Sequence, residues 1–190
     1  MLMRRLLAAA MMLAAGMAVA APVAPAAAAA QPSAPSQLDV QAVYLFDFAK
    51  FVRWPEGAEH STMTICVAGQ KGYVDALTRL VKGEHIDSRP LAVRAVQTPA
   101  DVTGCDILFL GILVKDQEAA LLAATVDKPV LTVSDIPGFL ESGGIIQFLV
   151  IDKRVRFSVD LHSATHSGIG LSSELLKVAV KVNGAGGGTP

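Results

Sequence analysis

Two histidines near the C-terminus have a spacing that suits metal chemistry. His162 and His166 lie four residues apart, which places two imidazoles on one face of a helix, as in helical zinc sites. Asp160 is the nearest candidate for a third ligand, but Ser163 stands where that motif carries a glutamate. The polar surface that any exposed helix needs explains the pair more simply, so we predict no metal.

A polar loop at residues 134–138 follows an apolar segment and is the other place where chemistry is expected. Open α/β sheets bind ligands beyond the carboxyl ends of their strands, so Ser134 and Asp135 are candidate ligand-binding residues. The alternative, which the sequence favours, is that one of them caps a helix. No serine lies in a Gly-x-Ser-x-Gly pattern, no carboxylate pair stands out, and Gly69-x-x-Gly72 is no phosphate loop. We therefore expect neither a catalytic site nor a cofactor.

An aromatic segment at residues 44–54 holds five of the chain's ten aromatic side chains. Its charges, Asp47, Lys50 and Arg53, recur every three residues, so a helix here is apolar over most of its circumference. Such a helix is covered on more than one side, either entirely by the core of this chain or partly by another chain. In the second case Lys50, Arg53 and Trp54 are the candidate anchors, because aromatic residues and Arg are favoured at interfaces.

The N-terminus predicts export. Arg4 and Arg5 precede an apolar run that ends on small residues at 18–20, which is the pattern of a cleaved secretory signal peptide over residues 1–20. The run is shorter than the ~20 apolar residues that span a bilayer, which disfavours an uncleaved anchor. We therefore expect a periplasmic protein.

The rest of the chain divides by composition into three parts. Residues 21–37 are rich in Ala and Pro, and residues 184–190 in Gly, so neither segment can bury a core. Residues 38–183 are expected to form a single domain. Removal of the two leader arginines reduces the 16 basic side chains to 14, against 17 acidic ones. A net charge near −3 gives no electrostatic footprint for nucleic acid.

The two cysteines, Cys66 and Cys105, predict a disulfide if the protein is exported, because an even pair in an oxidising compartment is usually bridged. In a reducing compartment both would be buried small hydrophobic residues. The bridge requires Cys105 to lie in the segment that precedes its strand, since neighbouring parallel strands would otherwise hold the two cysteines out of register.

Strands and helices alternate through the middle of the chain, which predicts right-handed crossovers and a parallel sheet covered on both faces. The expected fold is a three-layer, Rossmann-like α/β sandwich with a mostly parallel sheet and an antiparallel hairpin added at one edge. The predicted helices are 39–54, 73–81, 116–125 and 172–182, and the predicted strands are 63–67, 90–96, 107–110, 129–133, 145–151 and 155–159.

Several ordered motifs resemble those of the YfiR family. They are the aromatic segment 44–55, the cysteine-bearing segments 64–69 and 104–111, and the segments 129–139, 143–148, 155–157 and 170–177. The resemblance extends over about residues 39–182. Some members carry a second cysteine pair, which this chain lacks.

The resemblance implies a regulatory binding protein and no enzymatic activity. Members are periplasmic α/β proteins, often homodimeric, that inhibit a YfiN-type inner-membrane diguanylate cyclase by contact with its periplasmic domain. An outer-membrane lipoprotein of the YfiB type relieves this inhibition, and cyclic di-GMP and biofilm formation then rise. Candidate contacts are Lys50, Arg53 and Trp54, and also Ile136 and Phe139 of the loop 136–142. The alternative function is a small-molecule sensor or enzyme that uses the cleft near Ser134 and Asp135.

Overall fold

The computed structural model describes residues 35–57 and 60–184. The predicted signal peptide, most of the predicted linker and residues 185–190 of the predicted tail lie outside the described residues. The helices are α1 (Gln37–Phe51), α2 (Lys71–Leu80), α3 (Glu118–Ala123), α4 (Leu161–His166) and α5 (Ser173–Val178), with short 3₁₀ helices at Pro99–Val102 and Ile112–Gln117. The strands are β1 (Val52–Arg53), β2 (Met63–Ala68), β3 (His85–Ile86), β4 (Arg89–Ala95), β5 (Ile107–Leu110), β6 (Leu131–Ser134), β7 (Ile146–Ile151), β8 (Arg154–Asp160), β9 (Gly170–Leu171) and β10 (Lys181–Asn183).

The central sheet has eight strands in the order β10-β8-β7-β6-β5-β2-β4-β3. Five neighbouring pairs are parallel, while β7 and β8 form an antiparallel hairpin and β3 pairs antiparallel with β4. This arrangement confirms the predicted α/β class with a mostly parallel sheet. The chain runs from β2 to β4 on one side and then returns to β5 on the other side of β2. The order of the strands therefore reverses between β2 and β5, where such sheets open a crevice.

The sheet separates two apolar layers, because alternate side chains of each strand point to opposite faces. Ile65 and Val67 of β2 pack in the layer that contains α1 and α2, whereas Cys66 and Ala68 pack in the layer that contains α3. Strands β2 and β5 are buried on both faces, which explains why β5 is continuously apolar and why Thr64 is the one polar residue of β2. The three-layer sandwich is thus confirmed.

Helix α1 begins two residues before its predicted start. The hydroxyl of Ser36 accepts the backbone N–H of Asp39, and the Asp39 carboxylate accepts the backbone N–H of Ser36, so the two form a capping box. The helix ends at Phe51 rather than Trp54, because Val52 adopts extended backbone and Val52–Arg53 pairs with β9.

The C-terminal region differs from its prediction. A single helix is expected over 172–182, but α5 ends at Val178, and Lys181–Asn183 forms strand β10, parallel to β8. The helix and the strand that follows it are both so short that their apolar pattern resembles that of one continuous helix. Strand β10 lies outside β8, so the hairpin β7–β8 is next to the edge of the sheet rather than at the edge itself.

Candidate functional site

A cleft of about 250 Å³ opens at the carboxyl ends of β2, β5 and β6, at the point where the strand order reverses. It is lined by Gln37, Leu38, Gln41, Gln70, Tyr73, Gly111, Ile112 and Asp135. The position is the one predicted from Ser134 and Asp135, and only the second of these two residues lines the cleft.

Ser134 is completely buried, and its hydroxyl is used inside the protein. The hydroxyl donates to the carbonyl of Leu110 over 2.7 Å and accepts the backbone N–H of Ile136 over 2.9 Å. These bonds hold the end of β6 against β5 and close the turn that follows. Ser134 therefore positions Asp135 and is not free to bind a ligand through its hydroxyl.

Asp135 joins two buried polar side chains at the floor of the cleft. The Tyr73 hydroxyl, on α2, donates to Oε1 of Gln41, on α1, and lies 3.4 Å from Oδ2 of Asp135. Only 1% of Gln41 and 6% of Tyr73 is exposed. The second carboxylate oxygen, Oδ1 of Asp135, is shielded from solvent and has no hydrogen-bond partner among the described residues.

The electrostatics of this cluster disfavour negative charge. Burial raises the pKa of Asp135, and the backbone N–H groups of Ile112 and Asp135 and the side chains of Tyr73 and Gln41 offset this only in part. Burial also raises the pKa of Tyr73, and the neighbouring Asp135 carboxylate adds to that increase. Tyr73 is therefore neutral, while an ionised Asp135 lacks a cationic partner.

Two glycines allow the strand ends to converge beside the cleft. A Cβ at Gly69, whose φ is +145°, would lie 3.3 Å from the Cα of Gly111. The close approach brings the loops after β2 and β5 together, which explains why a glycine stands at position 69.

The end of α1 presents the predicted anchors at a second location. Lys50 and Arg53 are exposed and Trp54 is half-buried, and all three line a groove of about 440 Å³ with Arg89. Lys50 pairs with Asp47 over 2.9 Å and lies 3.9 Å above the ring of Phe46. The lining of the groove has three basic residues, Lys50, Arg53 and Arg89, against one carboxylate, Asp87.

Most of the aromatic segment belongs to the core, as one of the two alternatives predicts. Phe48 is buried, and its ring centroid lies 5.1 Å from that of Phe157 and 5.8 Å from that of Phe148. Tyr44 packs against the same two rings. The helix therefore packs on the β7–β8 hairpin, and its exposed large apolar side chains are Val43 and Phe51.

The expectation that Ile136 and Phe139 contact a partner is wrong for the described structure. Both side chains are completely buried in the layer that contains α3, where they pack with Leu108 and Leu110 of β5. A ring that is buried in the core cannot anchor a partner without local unfolding.

The histidine pair lies on α4, as its spacing predicts, but its expected third ligand has another role. Asp160 caps α4, since its Oδ1 accepts the backbone N–H of Ser163 over 2.8 Å. Within residues 35–57 and 60–184, no group of three His, Cys, Asp or Glu side chains is arranged to hold a metal ion. His162 and His166 line a separate groove of about 630 Å³ beside α3.

The disulfide between Cys66 and Cys105 is present, with the Cα atoms 5.7 Å apart. Cys66 lies in β2, and Cys105 lies in the segment before β5, which is the geometry that the sequence requires. Both residues are buried, and the guanidinium of Arg94 lies 3.4 Å from the sulfur of Cys105.

In the part of the chain that the structure describes, no helix is both long enough and apolar enough to cross a membrane.

A second acidic side chain, besides Asp135, is shielded from solvent, and no sequence pattern predicts it. Asp106, at the start of β5, accepts the guanidinium of Arg89 over 2.7 Å and the backbone N–H of Thr64 over 2.7 Å. The pair ties β2, β4 and β5 together at the end of the sheet opposite the cleft. Its role is structural.

The features above define a disulfide-stabilised three-layer α/β domain with a polar cleft at the switch point and a cationic groove at the end of α1. The chain belongs to the YfiR/HmsC-like family, whose model matches residues 38–180. This family is regulatory rather than catalytic, its members are periplasmic, and it is associated with diguanylate cyclase signalling.

Two solved structures are similar to this chain at low sequence identity. A conserved domain protein from Vibrio cholerae O1 biovar El Tor is 13% identical, with a TM-score of 0.52, over 78% of this chain and 60% of that chain. The present chain thus spans about 60% of the length of that protein. The ABC domain in complex with L-Trp from Streptococcus pneumoniae is 12% identical, with a TM-score of 0.44, over 63% of this chain and 55% of that chain.

Proposed function

We propose that this protein is exported to the periplasm after removal of residues 1–20 and represses an inner-membrane diguanylate cyclase by contact with its periplasmic domain. The observation that carries the proposal is the family match over residues 38–180. The Cys66–Cys105 disulfide supports it, because disulfides persist in oxidising compartments such as the periplasm.

The surface that we assign to this contact is the end of α1, with Lys50, Arg53 and Trp54. Lys50 and Arg53 are exposed cations, and the indole N–H of Trp54 is shielded from solvent without a partner among the described residues. Arginine and tryptophan are frequent hot spots of protein interfaces. A cationic groove favours an acidic surface on the partner.

Repression by binding has an energetic requirement. A binder shifts a two-state receptor only by its differential affinity for the two states. Reversal of the receptor from mostly active to mostly inactive takes about 5.5 kcal/mol of such preference. A few anchors of about 2 kcal/mol each meet this requirement when they contact the receptor in its inactive state alone.

Gene deletion tests the proposal. The cyclic di-GMP concentration should rise in the deletion strain. A plasmid copy of the full chain should return it to the wild-type level, and a copy without residues 1–20 should not. Unchanged cyclic di-GMP after deletion, in a strain that contains the cyclase, refutes the proposal.

Charge reversal tests the assigned surface. Lys50→Glu combined with Arg53→Glu should abolish repression while the protein remains folded and exported. Lys115→Glu combined with Lys128→Glu is the matched control, because these exposed lysines belong to the α3 side of the sheet. If both double variants repress like the wild type, the end of α1 is not the contact surface.

The resemblance adds two further partners to the proposal. A second copy of this chain would form a homodimer, which light scattering on the purified protein measures directly. An outer-membrane lipoprotein would bind the protein and relieve repression, and co-purification from envelope extracts tests this contact.

The cleft at Asp135 favours a second candidate function, a periplasmic sensor of a small molecule. Its volume of about 250 Å³ is somewhat below the range of drug-sized pockets, and its position is the usual ligand site of open α/β sheets. Binding at the cleft and contact through α1 are separate properties, and separate experiments test them.

A further inference from the structure

Among the described residues that line the cleft, Asp135 is the only charged one. The single hydroxyl proton of Tyr73 is donated to Oε1 of Gln41, so Oδ2 of Asp135, 3.4 Å away, does not receive it. Oδ1 of Asp135 has no hydrogen-bond partner among the described residues.

Burial makes an ionised carboxylate costly, and a cationic partner reduces that cost. The lining residues contain no lysine, arginine or histidine. A cation that pairs with Asp135 in the cleft is therefore a bound ligand and not a side chain of the lining.

The remaining lining selects the size and polarity of the ligand. Gln37 and Gln70 add amide groups at the rim, while Leu38 and Ile112 add apolar contacts. A space of about 250 Å³ admits a molecule of roughly eight non-hydrogen atoms, since a water occupies about 30 Å³ of liquid. An anionic ligand would be repelled by the Asp135 carboxylate and would have no basic side chain in the lining to pair with.

We propose that the cleft formed by Gln41, Tyr73 and Asp135 binds a small organic cation, a protonated amine whose N–H groups donate to the Asp135 carboxylate. The ammonium supplies the positive charge that the lining of the cleft lacks. Charge-assisted hydrogen bonds of this kind are roughly twice as strong as neutral ones. The inference deepens the second candidate function above and does not depend on contact with a cyclase.

Three probes of similar shape and different charge test the proposal on the exported protein. They are benzylammonium, benzyl alcohol and benzoate, and isothermal titration calorimetry at neutral pH measures their binding. We expect saturable binding of benzylammonium, with the neutral and anionic probes at least about tenfold weaker, as loss of a hydrogen bond to a charged group implies. No binding of benzylammonium, or equal binding of all three probes, overturns the proposal.

Site variants assign the binding to the cleft. Asp135→Asn keeps the shape of the side chain and removes its charge, so affinity for benzylammonium should fall at least about tenfold. Asp127→Asn is the control, since Asp127 is exposed in the turn before β6, at the opposite end of the strand that Asp135 follows. Unchanged affinity in Asp135→Asn, or an equal loss in Asp127→Asn, contradicts the assignment. Because cyclic di-GMP in cells reports on the cyclase contact alone, failure of one proposal is distinguishable from failure of the other.

Discussion

Removal of the Cys66–Cys105 disulfide should destabilise the domain by several kcal/mol. The cleanest perturbation is the double variant Cys66→Ala with Cys105→Ala, which leaves no free thiol. Both positions are buried and lie in the layer that contains α3, so the variant also loses some packing of the two sulfur atoms.

The magnitude follows from the length of chain that the bridge closes. The cysteines are 39 residues apart, and the chain-entropy expression for a loop of that length gives about 13 cal/mol/K. This corresponds to about 4 kcal/mol at room temperature, in the middle of the ~2–5 kcal/mol found for native disulfides. A typical domain has about 5–15 kcal/mol in total, so the variant should lose a large share of its stability.

Urea denaturation of the wild type and the double variant, each with and without dithiothreitol, measures the effect. The reductant should lower the free energy of unfolding of the wild type towards that of the variant and leave the variant unchanged. A difference between the two oxidised proteins below about 1 kcal/mol would refute the reasoning. Labelling of both cysteines in the denatured, unreduced wild type would refute it more directly.

Three other substitutions test the core and the cleft by urea denaturation. Asp106→Ala leaves the Arg89 guanidinium buried without its partner and should cost about 3–5 kcal/mol. Gly144→Ala places a Cβ in steric clash with the Phe139 ring and should cost about 1–3 kcal/mol through overpacking. Since burial raises the folded-state pKa of Asp135, its contribution to stability is present below the unfolded pKa and is lost as pH rises through the folded pKa. The variant Asp135→Asn cannot ionise at this position, so it does not show this loss. The free energy of unfolding of the variant minus that of the wild type should therefore be larger at neutral pH than at acidic pH.

Each of these predictions has an outcome that contradicts it. Asp106→Asn is the control for charge, because it keeps the shape of the side chain and should cost less than Asp106→Ala. Wild-type stability of Gly144→Ala would show that the Phe139 ring moves without penalty. A stability difference for Asp135→Asn that does not change with pH would show that Asp135 titrates normally.

The fold class was predictable because it depends on patterns that are local in sequence. Strand β5 is predicted with its exact bounds, since four apolar residues stand between Asp106 and Gly111. The Cys66–Cys105 bridge was predictable from compartment and cysteine count, and the requirement on Cys105 follows from strand register alone. The ends of α1 were less predictable, because Ser36 competes with Asp39 as the cap and the residues after Phe51 remain apolar.

The cleft was only half predictable, because its residues come from elements far apart in sequence. Tyr73 is 32 residues from Gln41 and 62 from Asp135. Asp135 carries a local signal, a polar residue at the end of an apolar strand. Gln41 carries a weaker one, since it occupies the same helical face as Leu45 and Phe48 and interrupts an otherwise apolar stripe. The meeting of these side chains depends on how α1 and α2 pack on the sheet.

The burial of Ile136 and Phe139 shows how layer geometry overrides local sequence. Pro137 and Gly138 between them are typical of an exposed turn, and both are exposed. The face of the sheet below them is covered mainly by α3, a helix of only six residues, so the apolar side chains of β5 need further cover. The loop supplies it, and Gly144 leaves the space into which the Phe139 ring fits. Since these two residues serve the core, the candidate partner surface reduces to the end of α1, and the charge reversals at Lys50 and Arg53 become its decisive test.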